Sequence, residues 1–196
     1  MSSYDARHSQ PAMTDDPRQS MIRSAMILLA TRGLQGASFS EVLAHSKAPR
    51  GSVYHHFPGG KDQLVAEALQ YASERALHAI ENGPEGAKAV TDAFLQLWRE
   101  VLTRSKFEAG CSVLAVAVAA DTPELRERAA EIFRTWRERL AAALARGGLT
   151  PAESKRFAAT LIAACEGAVA LSRAEKSLEP FELVATQLRA QLASLL

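Results

Sequence analysis

The chain is poor in the residues that staple or ligate. Of 196 residues, two are cysteine, five are histidine and 6% are aromatic. Cys111 and Cys165 stand far apart in apolar surroundings, which excludes a disulfide framework and a zinc site and makes a reducing cytoplasm the expected compartment. No long hydrophobic run is present either. The longest, Val113 to Ala120, falls short of the roughly 18–20 residues of a membrane span, so no membrane partner is expected. Residues 1–16 (MSSYDARHSQPAMTDD) hold no apolar core of a signal peptide and read as a flexible arm. Internal repeats, low-complexity blocks and period-2 alternation bounded by hairpin turns are all missing. Catalytic convergence is missing too. His8, His45, His55, His56 and His78 keep no spacing with a nucleophile or acid that would make an enzyme, and no cofactor is implied. Adjacent His55 and His56 diverge by about 100° on a helix and do not share a metal.

What the chain has is alanine, leucine and helix punctuation. With 47% hydrophobic residues, its length holds one or two domains able to bury a core. Asp16-Pro17 starts a helix, Ile22, Ala25, Met26 and Leu29 share one face, and Gly33 sits at its stop. Ser38 and Glu41 have the spacing of a capping box for a second, short helix that Lys47-Ala48-Pro49 interrupts. A third short helix is expected from Arg50 to Phe57. After Pro58-Gly59-Gly60, Lys61 opens a longer one to Asn82. Beyond Gly83-Pro84-Glu85-Gly86 come three further helical patterns. The first carries Phe94, Leu97, Trp98 and Val101. The second runs from Leu125 to Leu144 before Gly147-Gly148, and the third starts at a second capping box, Thr150 with Glu153, and carries Phe157, Leu161, Cys165 and Val169. Pro180 begins the last helix, with Leu183, Val184, Leu188, Leu192 and Leu195. The fold class is all-α.

The formal charge of +1 conceals a polarised chain. Residues 1–16 carry −2. Residues 17–64 carry six bases (Arg18, Arg23, Arg32, Lys47, Arg50, Lys61) against Glu41 and Asp62, hence +4, and residues 65–196 carry −1. A basic patch on a small helical unit is the footprint of a phosphate-backbone contact. Two short helices separated by a tight break also form a helix-turn-helix, whose second member enters a major groove.

The residues of this unit carry a family likeness. Met21-Ile22-Arg23-Ser24-Ala25-Met26-Ile27-Leu28-Leu29-Ala30-Thr31-Arg32-Gly33, Phe39-Ser40-Glu41-Val42, Gly51-Ser52-Val53-Tyr54-His55-His56-Phe57-Pro58 and Lys61-Asp62-Gln63-Leu64 resemble the TetR/AcrR family of transcriptional regulators. Val53-Tyr54-His55-His56-Phe57-Pro58-Gly59-Gly60-Lys61, with Cys111 to Ala119 and Glu166-Gly167-Ala168, is similar to a subgroup that represses multidrug-efflux genes and includes members responsive to flavonoid-like aromatics. The chain departs from the family at Lys47, where a turn glycine is usual. Lys47 must adopt a left-handed conformation or shift the turn, at a cost of roughly 1 kcal/mol.

The resemblance implies a DNA-binding domain at 17–64, after the arm at 1–16, and a helical ligand-binding and dimerisation domain at 65–196. The expected partners are a double-stranded DNA operator, a second copy of the chain and a small hydrophobic or aromatic effector. By position, Arg50, Ser52 and His55 face base edges. The resemblance puts Tyr54, His56 and Lys61 on phosphates, with Ser38 and Ser40 as further phosphate candidates, Ser38 being a cap first. For the ligand, Phe94, Trp98, Val101, Phe107, Cys111, Leu114, Phe133, Trp136, Cys165, Glu166 and Val169 offer an apolar cavity. Glu166 binds a hydroxyl or cationic ligand, joins a polar network or sits at an exposed edge. The small residues from Ala158 to Ala170 suit close helix pairing across a two-fold axis. The implied function is a repressor released by its effector through a tilt of the helix that starts at Lys61. The alternative is a dimeric ligand-binding protein acting as an activator or non-repressing sensor.

Overall fold

Asp16 and Pro17 open helix α1 (Pro17–Gly36), the Asp16 carboxylate accepting from the Arg18 amide at 3.1 Å. The protein is described from a computed structural model, which covers residues 16–81 and 85–196, so the arm before Asp16 lies outside the described residues. Met21, Ile22, Ala25, Leu28 and Leu29 form the buried face of α1. Gly33 stops it as expected: at φ 71° and ψ −173° it breaks the helix, and only a short turn follows to Gly36.

Helix α2 (Phe39–Ser46) is capped at one side only. The Ser38 hydroxyl accepts from the Glu41 amide at 3.3 Å, whereas the Glu41 carboxylate pairs with Arg32 at 2.6 Å. The reciprocal half of the expected capping box is therefore absent, because a guanidinium competes for the carboxylate better than a backbone amide. Lys47 caps α2 in the left-handed region (φ 59°, ψ 21°), so the lysine bears the turn itself. Helix α3 is shorter than expected, Ser52–His56, with Phe57 buried at its end.

Helix α4 (Gly60–Glu81) is the long connector, and its expected end at Asn82 falls outside the described residues. Helices α5 (Ala87–Arg104), α7 (Pro123–Arg146), α8 (Pro151–Glu175) and α9 (Glu179–Ala193) follow the sequence signals. The Thr150–Glu153 capping box is complete. Helix α6 (Ser112–Ala119) was not legible as a separate element, because an eight-residue run that is apolar all round has no period. Among the described residues the structure is all-helical. Its single core runs from α1 through α4 into the bundle of α5, α7, α8 and α9. By length and composition α8 alone among the described helices would cross a bilayer, but half of its apolar window is buried inside the fold.

Gly147 fixes one corner of the bundle. Its carbonyl accepts from the Ala87 amide at 3.2 Å, and a Cβ there would stand 2.1 Å from that nitrogen. Gly147→Ala is therefore expected to push the start of α5 away from the end of α7, lowering stability by about 1–3 kcal/mol in thermal or denaturant unfolding.

Candidate functional site

Helices α1 to α3 present the basic unit. Val53 and Phe57 are fully buried against it and fix the roll of α3, leaving Arg50, Tyr54 and His55 on the exposed side. Tyr54 is 70% exposed and stands edge-on to Phe39, with ring centroids 5.5 Å apart. It is a braced surface phenol rather than a core aromatic. His55 and His56 stack edge to face, and His56 meets Phe57 in the same way. Ser52 is occupied in part: its hydroxyl donates to the Pro49 carbonyl at 2.7 Å and closes the turn into α3. At the start of α2, the Ser38 and Ser40 hydroxyls lie 2.9 Å apart. Lys61 is more committed. Its ammonium donates to the Leu34 carbonyl at 2.9 Å from a partly buried position, tying the head of α4 to the broken end of α1. Two of its three protons remain for another acceptor. His45 bonds Ser24 at 3.0 Å, securing α2 to α1.

The second feature is a cavity of about 250 Å³ between this unit and the bundle. Of the residues expected to line a pocket, Trp98, Val101, Cys111 and Trp136 do so. The remaining wall comes from α1 (Met26, Ile27, Ala30), α4 (Ala72, Arg75, Ala76), Leu97 of α5, and Ala109, Gly110 and Ser112. The other expected residues do not line it. Phe94 borders a separate crevice between α4 and α5. Cys165 and Val169 are 0% and 2% exposed and belong to the core. Phe133 is half-buried with its ring edge-on to Trp136 at 5.6 Å. Phe107 and Leu114 pack half-buried against the core. Periodicity marks the apolar side of a helix, and most of such a side is ordinary core.

The α1 contribution escaped the sequence reading, although a signal was there. Ile27, 40% exposed, is an apolar residue off the buried stripe of α1, which marks a second contact surface.

Comparison with known proteins agrees with this architecture. Residues 21–68 match the bacterial regulatory proteins, tetR family, and residues 87–187 match the transcriptional regulator LmrA/YxaF-like C-terminal domain. An uncharacterised HTH-type transcriptional regulator of Mycobacterium tuberculosis (strain ATCC 25618 / H37Rv) is 39% identical over 180 residues, covering 88% of this chain and 92% of its own. The HTH-type transcriptional regulator LmrA of Bacillus subtilis (strain 168) is 26% identical, covering 84% and 90%. The chain belongs to the TetR family of transcriptional regulators. Among solved structures, a TetR transcriptional regulator from Chloroflexus aurantiacus J-10-FL superposes with a TM-score of 0.73 at 30% identity, covering 90% of this chain and 94% of its own. One from Legionella pneumophila reaches 0.81 at 18% identity, over 92% and 99%, and shows the fold alone. This TetR-family protein is thus a DNA-binding transcriptional regulator, and its relatives and fold are those of regulators rather than enzymes.

This TetR-family chain holds one buried acid of unusual setting. Glu166 on α8 is 8% exposed, and neither carboxylate oxygen has a conventional hydrogen-bond partner. Burial raises it from its ordinary 4.5 to about 7, and the weakly donating Cys111 thiol offsets only part of that rise. Burial and the Glu166 charge in turn push the Cys165 thiol up to about 12 and the Cys111 thiol well above its usual range. Of the three readings left open by the sequence, the exposed edge is excluded. Cys111 lines the cavity and contacts Glu166, which itself does not line it.

A folded-state pKa above the unfolded one makes ionisation oppose folding. The penalty is absent below about pH 4.5, grows as pH rises and is complete above about pH 7, reaching about 3 kcal/mol. Glu166→Gln is expected to flatten this part of the stability–pH curve, so that the variant outlasts the parent in urea at alkaline but not at acid pH. Parallel curves for the two proteins would contradict the assignment.

Proposed function

We propose that this protein is a homodimeric, ligand-responsive repressor that binds a palindromic operator and releases it when a small hydrophobic or aromatic effector fills the regulatory domain. The division is an arm at 1–16, a DNA-binding unit at 17–64 and a regulatory unit at 65–196. The site of action is the cytoplasm, and the finer reading, repression of an efflux gene in response to flavonoid-like aromatics, rests on the subgroup resemblance of Val53 to Lys61, Cys111 to Ala119 and Glu166 to Ala168. One observation carries it: Arg50 in the turn before α3, with Tyr54 and His55 on α3, is exposed on one side, while Val53 and Phe57 are buried on the other. Arg50 suits a bidentate contact to guanine, and Ser52 and His55 lie within reach of neighbouring base edges. Tyr54, His56, Lys61, Ser38 and Ser40 surround them as phosphate contacts.

Pairing is supported by α8 and α9. Thr160, Ala163, Gly167, Ala170 and Ala174 form an exposed stripe on α8 at three- and four-residue spacing, small and uncharged throughout. A Cβ on Gly167 would meet nothing within 4 Å inside the chain. Leu171 and Leu183, 53% and 66% exposed, flank that stripe with apolar surface. Two stripes packed across a two-fold axis give a four-helix interface and bring two +4 units to one side of the dimer.

DNA from upstream of the gene provides the test. Arg50→Ala and Tyr54→Ala should each weaken binding by about 1–3 kcal/mol in fluorescence anisotropy, and affinity should fall steeply with salt. Wild-type affinity in both variants contradicts the interface. Gly167→Leu should convert a dimer into a 21.1 kDa monomer in sedimentation, and an unchanged dimer would place the interface elsewhere.

A further inference from the structure

The cavity behind α1 is asymmetric in its polar groups. Both tryptophans of the chain line it. Trp136 Nε1 donates to the Ser73 hydroxyl at 3.2 Å and is satisfied. Trp98 Nε1 is buried with no acceptor, in a side chain 7% exposed. An unmet buried donor carries a desolvation cost that an acceptor on a ligand recovers. Arg75 is the only charged residue in the wall. It stands exposed at the mouth with its guanidinium 5.9 Å from the Tyr71 ring, and no carboxylate partner is present among the described residues. Everything else that faces the space is apolar or small, and the nearby acid, Glu166, is not part of the wall.

We propose that this cavity binds a small apolar aromatic acid, whose ring packs among Trp98, Trp136 and Leu97 and whose acidic oxygens take the unsatisfied Trp98 Nε1 and the exposed Arg75 guanidinium. The volume of about 250 Å³, just below the roughly 300–1,000 Å³ usual for small-molecule sites, suits a compact ligand. A cation is disfavoured by Arg75 and gains nothing from an indole N–H. Met26, Ile27 and Ala30 make the occupant a direct neighbour of α1, so it bears on the DNA-binding unit without an intermediary. Only this last consequence rests on the reading as an effector-responsive regulator.

The test uses the full-length protein and its own tryptophan emission, excited at the red edge of indole absorption. Three isosteric probes are titrated: 4-phenylbutyrate, 4-phenylbutanol and 4-phenylbutylamine. The acid should bind about tenfold more tightly than the amine, with the alcohol between them. Arg75→Gln, a change at an exposed position, should bring acid and alcohol to equal affinity. Trp98→Phe, which keeps a ring and removes the donor, should weaken both while Trp136 still reports. Tighter or equal binding of the amine, no binding of any probe, or an acid preference that survives Arg75→Gln would each overturn the proposal. Because these titrations contain no DNA, their failure leaves the operator-binding reading standing. Loss of operator binding alone leaves the ligand site standing.

Discussion

The end of α1 depends on donors from elsewhere in the chain. A helix leaves its last carbonyls without intrahelical partners, and the break at Gly33 brings that end to the middle of the molecule. Three distant segments add donors there, besides the local Ala37 amide that reaches the Leu34 carbonyl at 3.4 Å. The Gly110 amide reaches the Ala30 carbonyl at 2.8 Å, Arg173 of α8 reaches the Thr31 carbonyl at 3.3 Å, and Lys61 of α4 reaches the Leu34 carbonyl at 2.9 Å. Arg173 also holds the Glu108 carbonyl at 2.9 Å, and Lys176 pairs with the Glu108 side chain at 2.6 Å. The end of α1 is thereby tied to the head of α4, to α8 and to the loop before α6.

The loop that provides Gly110 is itself strained. Lys106 and Phe107 both lie in the left-handed region, at φ 53° and 64°, where a non-glycine residue costs roughly 1 kcal/mol or more. The Phe107 amide, bonded to the Leu102 carbonyl at 2.8 Å, and the Ala109 amide, bonded to the Ser105 hydroxyl at 3.1 Å, hold it there. The missing side chain at Gly110 leaves room for the Arg173 guanidinium, which a Cβ would approach to 2.7 Å. Since Ala30, Ala109 and Gly110 also line the cavity, the capping bonds and the ligand space share atoms. This shared wall is the physical route for the proposed coupling between ligand and DNA-binding unit.

Much of this was legible in the sequence, for reasons that differ by residue. Asp16-Pro17, Gly33 and Thr150 with Glu153 are local signals, and local chemistry placed them correctly. At Lys47 the sequence left a left-handed residue or a shifted turn open, and the residue takes the left-handed conformation. The Ser38–Glu41 box looked equally local but lost its second half to Arg32, a residue one helix away. Site residues divided along the same line. The exposed face of α3 follows from its own periodicity, whereas the cavity wall is assembled from five helices and a loop. Ile27, Arg75 and Gly110 therefore gave no periodic signal, and core residues such as Cys165 and Val169 mimicked one.

Hydrogen exchange of the native protein, compared between the parent and Arg173→Met, addresses the capping of α1 directly. The methionine keeps the apolar stem of the side chain and removes its donors. If the regulatory helices hold the DNA-binding unit through the α1 carbonyls, exchange should accelerate at Gly110, in the last turn of α1 and through α2 and α3, while α7 and the core of α8 keep their protection. Unchanged protection across α1 to α3 in the variant would contradict the account, because the unit would then be ordered by its own packing alone.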